Sequence, residues 1–430
     1  MENKKNYKDL VIYILLGFMF LFLASKGNNI FSISDNFGYA FEQNINYSKL
    51  ILNIKILSLN FAALIFFILL IISLSGKIRK QNFYLSPTLF LISLLLYLLR
   101  LLYETPNDIK LILAIIFNSC FLFFCWTTTK KNRFGIRNIN NLINGSLFFS
   151  ILFVWINVFI GLTGQGYVEN IPRYFGITGH PNFLGVYSAH CAIIVAAFIF
   201  SNKLNFKNFL FFSITEFFSI LLVVSSASRT ALLMLIFGIA LLFLHHTFIS
   251  KKIIFKISTF IGISMLIIIS IIFFWDSFFL IIESSQDSLS RLGSVENTRG
   301  DVWLTLISNF LKHPFIGNGY GAGASESSFL KLIASAGILP GILLLYSFYI
   351  AIKRSIKILI NNSNLINWGL SGMAALTLVT IIGSFFEGYL YEQGGFLVLF
   401  FITETWIVSA VRLTKQKIES NNLLKKFTKK

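Results

Sequence analysis

The sequence alternates long apolar blocks with short polar intervals. The blocks run 15 to 25 residues without charge, the length at which a helix spans a hydrocarbon core. Twelve such spans are predicted, near 10–24, 56–75, 84–103, 109–129, 142–162, 183–200, 208–224, 230–249, 253–275, 329–350, 367–386 and 389–411. The first follows a Lys-Lys pair, as a signal-peptide core would. No small-x-small cleavage site comes after it, so it reads as a span. One interval is long: 276–328 carries Asp276, Glu283, Asp287, Arg291, Glu296, Arg299, Asp301, Lys312 and Glu326. Loops longer than about fifteen residues usually carry function. The pattern predicts an all-α polytopic membrane protein, one integral domain over 1–430. It has a long outer loop at 276–328 containing short helices, and a basic tail at 412–430.

Composition agrees. Apolar residues make up 56% and charged residues 13%, against roughly a quarter charged in soluble chains. The net charge of +18 would suggest nucleic acid in a soluble protein. Here it distributes by loop. With the N-terminus cytoplasmic, 25 of the 36 Lys and Arg fall on the inner side, where the acids are only Glu2, Asp9 and Glu419. That is the positive-inside rule, with both termini cytoplasmic, and no nucleic-acid partner is needed. The tail ending LLKKFTKK reads as a lipid-surface anchor. Cys120, Cys125 and Cys191 lie in apolar blocks without a CxxC and read as small core residues. The histidines match no metal spacing, so no metal site is expected.

Polar residues crowd at the outer ends of spans. In IPRYFGITGHPNFLGVYSAHCAII (171–194), Arg173, His180 and Asn182 precede an apolar run. Pro181 and Asn182 read as the turn and cap that start a helix. His190, about two turns into the span, reads as a hydrogen-bonded core histidine. In VVSSASRTALLML, Arg229 opens another span, where snorkelling and a ligand role are both open. Arg100 sits near an outer end and can snorkel. Glu216 and Glu404 lie within spans, at roughly 2–4 kcal/mol each if unpaired, so they should face the bundle interior.

The long loop contains SVENTRGDVWLTLISNFLKHPFIGNGYGAG. Thr298 and Asp301 fit a capping box, Trp303, Ile307, Phe310 and Leu311 form one apolar stripe, and Pro314 ends the helix. This predicts an amphipathic helix on the outer membrane surface. Arg299 in its first turn is disfavoured by the dipole unless both face an anion such as phosphate. Pairing with Asp301 or Glu296 is the alternative. The glycines of GNGYGAG could cradle a phosphate, but without a Walker lysine the pattern alone reads as a flexible loop. Glu326, just before an apolar helix, is a candidate general base or a first-turn residue favoured by the dipole.

Three of these segments together resemble the bacterial O-antigen ligase/polymerase family. RYFGITGHPNFLG (Arg173 to Gly185) is similar to the family's R-x-x-G stretch with P-N, and SASRTALL (Ser226 to Leu233) to its S-x-S-R before a span. TRGDVWLTLISNFLKHPFIGNGYG followed by ESSFLKLIASAGILPG is similar to its Arg, Trp, P-x-x-G-x-G and closing helix ending in Gly. The resemblance covers residues 170–345. It implies an architecture similar to C-type glycosyltransferases and glycosyl transfer on the outer face of the bacterial cytoplasmic (inner) membrane. The donor would be an undecaprenyl-diphosphate-linked oligosaccharide. An acceptor hydroxyl would attack the anomeric carbon and undecaprenyl diphosphate would leave, with no cofactor and no metal. Arg173, Arg229 and Arg299 occupy the family's arginine positions, so the resemblance implies that they bind the pyrophosphate, with His180 and Asn182 lining the site. Arg299 and Glu326 are the expected catalytic pair. The implied partners are the lipid-linked donor and acceptor, the bilayer and a chain-length regulator protein. Ligases carry a histidine eleven residues before the closing Gly, and counting back from Gly337 gives Glu326. The expectation is therefore a polymerase of O-antigen or capsular polysaccharide. A ligase acting on lipid A core and a lipid-linked oligosaccharide flippase are the alternatives. Flippases often show two related halves, and no internal repeat is found here.

Overall fold

A computed structural model describes residues 2–25, 47–74, 84–106, 108–127, 134–168, 171–202, 204–249, 300–322, 327–360, 368–391 and 396–410. Thr298, Arg299, Glu326, the span at 253–275, residues 276–299 of the long loop and the tail at 412–430 lie outside the described residues. Helices α1 (Glu2–Ser25), α2 (Lys49–Leu74), α3 (Leu85–Glu104), α4 (Ile109–Thr127) and α5 (Phe134–Leu162) come first. A small antiparallel hairpin follows, β1 (Tyr167–Val168) and β2 (Ile171–Tyr174), with Tyr167 opposite Tyr174. After a 3-10 turn at Gly176–Thr178 come α6 (Pro181–Ser201), α7 (Phe206–Ser225) and α8 (Arg229–Ile249). The remainder is α9 (Gly300–Lys312), a 3-10 turn at Gly319–Ala322, α10 (Ser328–Ala336), α11 (Ile338–Ile360), α12 (Trp368–Phe386), a 3-10 turn at Tyr389–Tyr391 and α13 (Phe396–Ala410). Among the described residues 5 helices are long and apolar enough to cross a membrane, or 6 if the bent pair within Lys49–Ile71 is one span. The protein is helical and multi-pass; the predicted twelve spans are not reached within these residues.

Two helices form the centre. The sequence of α6 has no polar face, and a helix apolar all round belongs inside a bundle. It packs on α5, α7, α8 and α12. Helix α13 is buried along its length and is lined by phenylalanine. Phe396 and Phe400 meet Phe20 of α1 at 5.8 and 5.4 Å between ring centres, and Phe401 meets Phe90 of α3 at 4.9 Å. Each edge-to-face pair adds about 0.5–1.5 kcal/mol beyond area burial. Such shape-fitting matters here because lipid is as apolar as the side chains themselves.

One polar cluster lies within this core. His190 Nε2 lies 2.9 Å from Thr380 Oγ1 and 3.6 Å from Glu404 Oε1, and its Nδ1 lies 2.8 Å from the Val186 carbonyl. Glu216 and Glu404 are both buried. The in-span carboxylates therefore face the interior, as their insertion cost requires, and His190 is a bonded core histidine.

The structure differs from the sequence reading at four places. The span expected at 329–350 is two helices, α10 and α11, broken at Gly337. A side chain there would overlap the Phe315 carbonyl, and its φ is +85°. The span expected at 389–411 is the turn Tyr389–Tyr391 and the shorter α13. A chain read as all helix contains the β1–β2 hairpin. On α9, the buried centre is Leu306, packed with Val302, Phe310, Ala322, Leu330 and Ala334. Ile307 and Leu311 of the expected stripe lie instead on an exposed apolar side with Leu304. That outward side suits contact with lipid.

Candidate active site

Several helix ends meet at one end of the bundle. These are the starts of α6 and α8 and the ends of α7 and α12, and the hairpin packs over them. The hairpin is anchored to α5. Tyr174 donates its hydroxyl to the Asn157 carbonyl at 2.6 Å, and Asn157 Oδ1 accepts from the Ile177 N–H at 2.8 Å. The rings of Tyr167 and Tyr174 pack at a tilt with centres 4.8 Å apart. Tyr47 of the chain entering α2 donates to the Gly176 carbonyl from outside. Strand β2 thus delivers Arg173 from a fixed base.

Arg173 makes two forked donations. Its Nε reaches the Ser226 carbonyl at 2.9 Å and its Nη2 reaches Asn182 Oδ1 at 2.5 Å. Ser226 caps the C-terminus of α7, where open carbonyls carry partial negative charge and favour a cation. Asn182 is the second residue of α6, and its Nδ2 donates to both carboxylate oxygens of Glu387, at 3.3 and 3.4 Å. Thr230, the second residue of α8, donates to Glu387 Oε1 at 3.2 Å. The main-chain carbonyl of Glu387 accepts from the N–H and the hydroxyl of Ser328, at 3.1 and 2.7 Å. Segments far apart in sequence therefore converge on one cluster.

The S-x-S-R turn is built to let α6 approach. Ala227 takes a φ of +50°, Ser226 Oγ donates to the Val223 carbonyl at 2.7 Å, and Ser228 Oγ accepts from the Ala231 N–H at 3.3 Å. Gly185 of α6 rides on this turn: a Cβ there would overlap Ser226 Oγ and lie 2.9 Å from Ala231 Cβ. The spacing of Arg173, Asn182 and Gly185 in the first motif thus makes one contact surface for the second.

The sequence-predicted residues divide clearly. Arg173 and Asn182 are brought together. Arg229 opens α8 beside Thr230 with an exposed side chain. His180 is the residue before α6 and packs edge-on against Phe183 at 5.1 Å. Asn182 does not cap α6, contrary to the expectation: His180 holds that position, Pro181 fills the first turn, and the Asn182 side chain is spent on Arg173 and Glu387. Arg299 and Glu326 are outside the described residues. Glu387 was not anticipated. Its signal was a carboxylate at the C-terminal end of an apolar helix, where the dipole disfavours it and a donor must compensate.

The described part of GNGYGAG, residues 317–322, is not a free loop, and the anion it holds is a carboxylate of the chain itself. Glu104 fills the space at Gly319, accepting from the Tyr320 N–H at 2.8 Å. Arg100 pairs with Glu104 at 2.9 Å and donates to the carbonyls of Ile316 and Gly317 at 3.1 and 3.2 Å. Arg100 is therefore pinned to the turn rather than snorkelling. Among the described residues no group of three or more His, Cys, Asp or Glu could hold a metal ion.

Burial, and then the positive charge of Arg173, push the His180 imidazole down to about 4. The ring is neutral at physiological pH, so the cationic character at this end comes from arginine. The sign of the pH effect follows. Between the ordinary histidine value of about 6.5 and about 4, the unfolded chain binds a proton that the folded chain refuses. Stability should fall as pH drops through this window, by at most about 1.4 kcal/mol per pH unit. Thermal unfolding of the purified protein across pH 7 to 4 measures it, and His180→Gln should flatten the slope. Parallel slopes in the two proteins would mean that His180 is not held neutral.

A family model described as O-antigen ligase matches residues 214–340. The match runs from within α7 through the S-x-S-R turn, α8, α9, the glycine turn and α10 into the start of α11. Arg173, Asn182 and Glu387 lie outside it. No curated protein matches the chain.

Proposed function

We propose that the protein polymerises undecaprenyl-diphosphate-linked repeat units into O-antigen or a related surface polysaccharide, on the outer face of the cytoplasmic membrane; the O-antigen ligase family model that matches residues 214–340 supports a reaction of this type. The observation that carries this reading is the double donation of Arg173 to Ser226 and Asn182. It joins two separate motifs around a guanidinium at the edge of the bundle. Arginine suits a diphosphate because its planar fork matches phosphate oxygens and stays charged.

In this reading a sugar hydroxyl of the acceptor attacks the anomeric carbon of the donor. The new C–O bond forms as the bond to the diphosphate breaks, and the hydroxyl proton passes to a base. Glu326 is the candidate base from sequence. Arg173, Arg229 and Arg299 would stabilise the charge that develops on the departing diphosphate. Preplaced donors in a partly dehydrated site act strongly there because they need no reorganisation during the reaction. The lipid tail would remain in the bilayer beside the exposed apolar helices, while the sugars stay in water at the bundle end.

The ligase reading is favoured by the description of the matching family. Glu326, at the position where ligases carry histidine, favours the polymerase. Deleting the gene and resolving surface polysaccharide on gels separates them. The expected result is surface lipid bearing a single repeat unit. Complete loss of attached sugar would make the protein a ligase, and lipid-linked units accumulating in the cytoplasm would make it a flippase.

A further inference from the structure

Glu387 is the residue on which α6, α8, α10 and α12 converge, through its carboxylate and its main-chain carbonyl, yet the reaction sketched above gives it no part. We infer that Glu387 is a positioning residue, which fixes the orientation of the Asn182 amide and through it the aim of the Arg173 guanidinium at the lipid-linked diphosphate. The inference rests on the glycosyl-transfer reading. It adds a residue that lies outside the matched family segment.

The argument is one of polarity. A guanidinium only donates, an ionised carboxylate only accepts, and a primary amide has one end of each kind. Asn182 stands between the two, with Oδ1 accepting from Arg173 and Nδ2 donating to Glu387. The carboxylate removes the flipped amide as an alternative, because a flip would set oxygen against oxygen and nitrogen against nitrogen. Glu387 is itself held. Thr230 donates to its side chain and Ser328 clamps its main-chain carbonyl through two bonds. Glu387 can therefore transmit orientation rather than merely fill space. Aim matters, because a reacting group misplaced by about 1 Å can cost on the order of 100-fold in rate.

The test exchanges the two polar types. Asn182→Asp sets two carboxylates against each other. Adding Glu387→Gln leaves the new carboxylate at position 182 accepting from Arg173 and restores a donor–acceptor pair between positions 182 and 387. The purified full chain in nanodiscs is supplied with undecaprenyl-diphosphate-linked repeat units, and chain growth is followed. Asn182→Asp should lower turnover by about 30-fold, and the double variant should recover about tenfold of that loss, a coupling within the range found for contacting residues. A double variant no better than Asn182→Asp overturns the inference, since a general base or two independent sites would give that result. Glu387→Gln alone supplies the second reading. Weaker inhibition by free undecaprenyl diphosphate, with an unchanged pH profile of turnover, supports positioning. An unchanged inhibition constant with turnover abolished would make Glu387 a base and overturn it. A wild-type protein that is inert on the lipid-linked units overturns the glycosyl-transfer reading and this inference together.

Discussion

Arg173→Lys should lose at least about two orders of magnitude in chain growth, and Arg173→Ala little more. The conservative change is the informative one, because it keeps the charge and removes the fork. Arg173 uses different nitrogens for acceptors 53 and 9 residues away in sequence. A lysine ammonium is one compact, strongly hydrated point on a flexible stem and cannot span the Ser226 carbonyl and the Asn182 amide together. Each acceptor left unsatisfied in a half-buried setting costs about 1–3 kcal/mol. Losing one preorganised donor to the developing oxyanion typically costs on the order of 10²–10³ in turnover. The assay is polymer length from lipid-linked units, normalised to inserted, folded protein. A lysine variant within about fivefold of wild type would show that charge alone suffices and that the fork is structural.

The sequence was informative wherever the cause lay nearby along the chain. Hydropathy located α1 to α8 and α12 because a bilayer demands about twenty apolar residues, and that demand is local. The break at Gly337 was invisible to hydropathy, though the family motif closes a helix there, because its cause is the Phe315 carbonyl arriving from another segment. A hydropathy window does not register a one-residue kink. On α9 the apolar periodicity was real, but it could not say which apolar side meets protein. Leu306 is buried while Leu304 and Leu311 are exposed, and in a membrane both sides have the same reason to be apolar.

The same distinction governs the site. Arg173 and Asn182 share one motif nine residues long in its spacing, so reading them together was possible, although Asn182 looked like a cap. Glu387 lies 205 residues from Asn182 and follows an unremarkable apolar span. Acids at helix ends are common, and only the folded chain shows that this one faces an amide already committed to an arginine. The glycines of GNGYGAG carried the opposite risk. Their pattern left an anion cradle open but read on its own as a flexible loop, whereas the protein supplies its own anion, Glu104, and its own cation, Arg100.

Gly317→Ala should be among the most damaging single-methyl substitutions in the chain. Gly317 has a φ of +74°, and a Cβ there would overlap the carbonyl group of Ser335. The left-handed backbone alone costs a non-glycine residue about 1–3 kcal/mol. The neighbour is main chain, so no rotamer relieves the overlap and the two segments must separate. Separation strains the bonds from Asn318 N–H to the Ala334 carbonyl and from Ile338 N–H to the Pro314 carbonyl, both 2.8 Å and each worth about 0.5–1.5 kcal/mol. A loss of roughly 3–5 kcal/mol consumes much of an ordinary domain's margin of about 5–15 kcal/mol. Gly321→Ala is the matched control: nothing lies within 4 Å of its added methyl, and it should stay within about 0.5 kcal/mol of wild type. Thermal unfolding in detergent compares the three proteins, and coincident melting of all three would refute the close crossing at Gly317. The damage should also reach the cluster. Helix α10 carries Ser328, which clamps the Glu387 carbonyl, so Gly317→Ala should depress chain growth by more than its loss of folded protein explains.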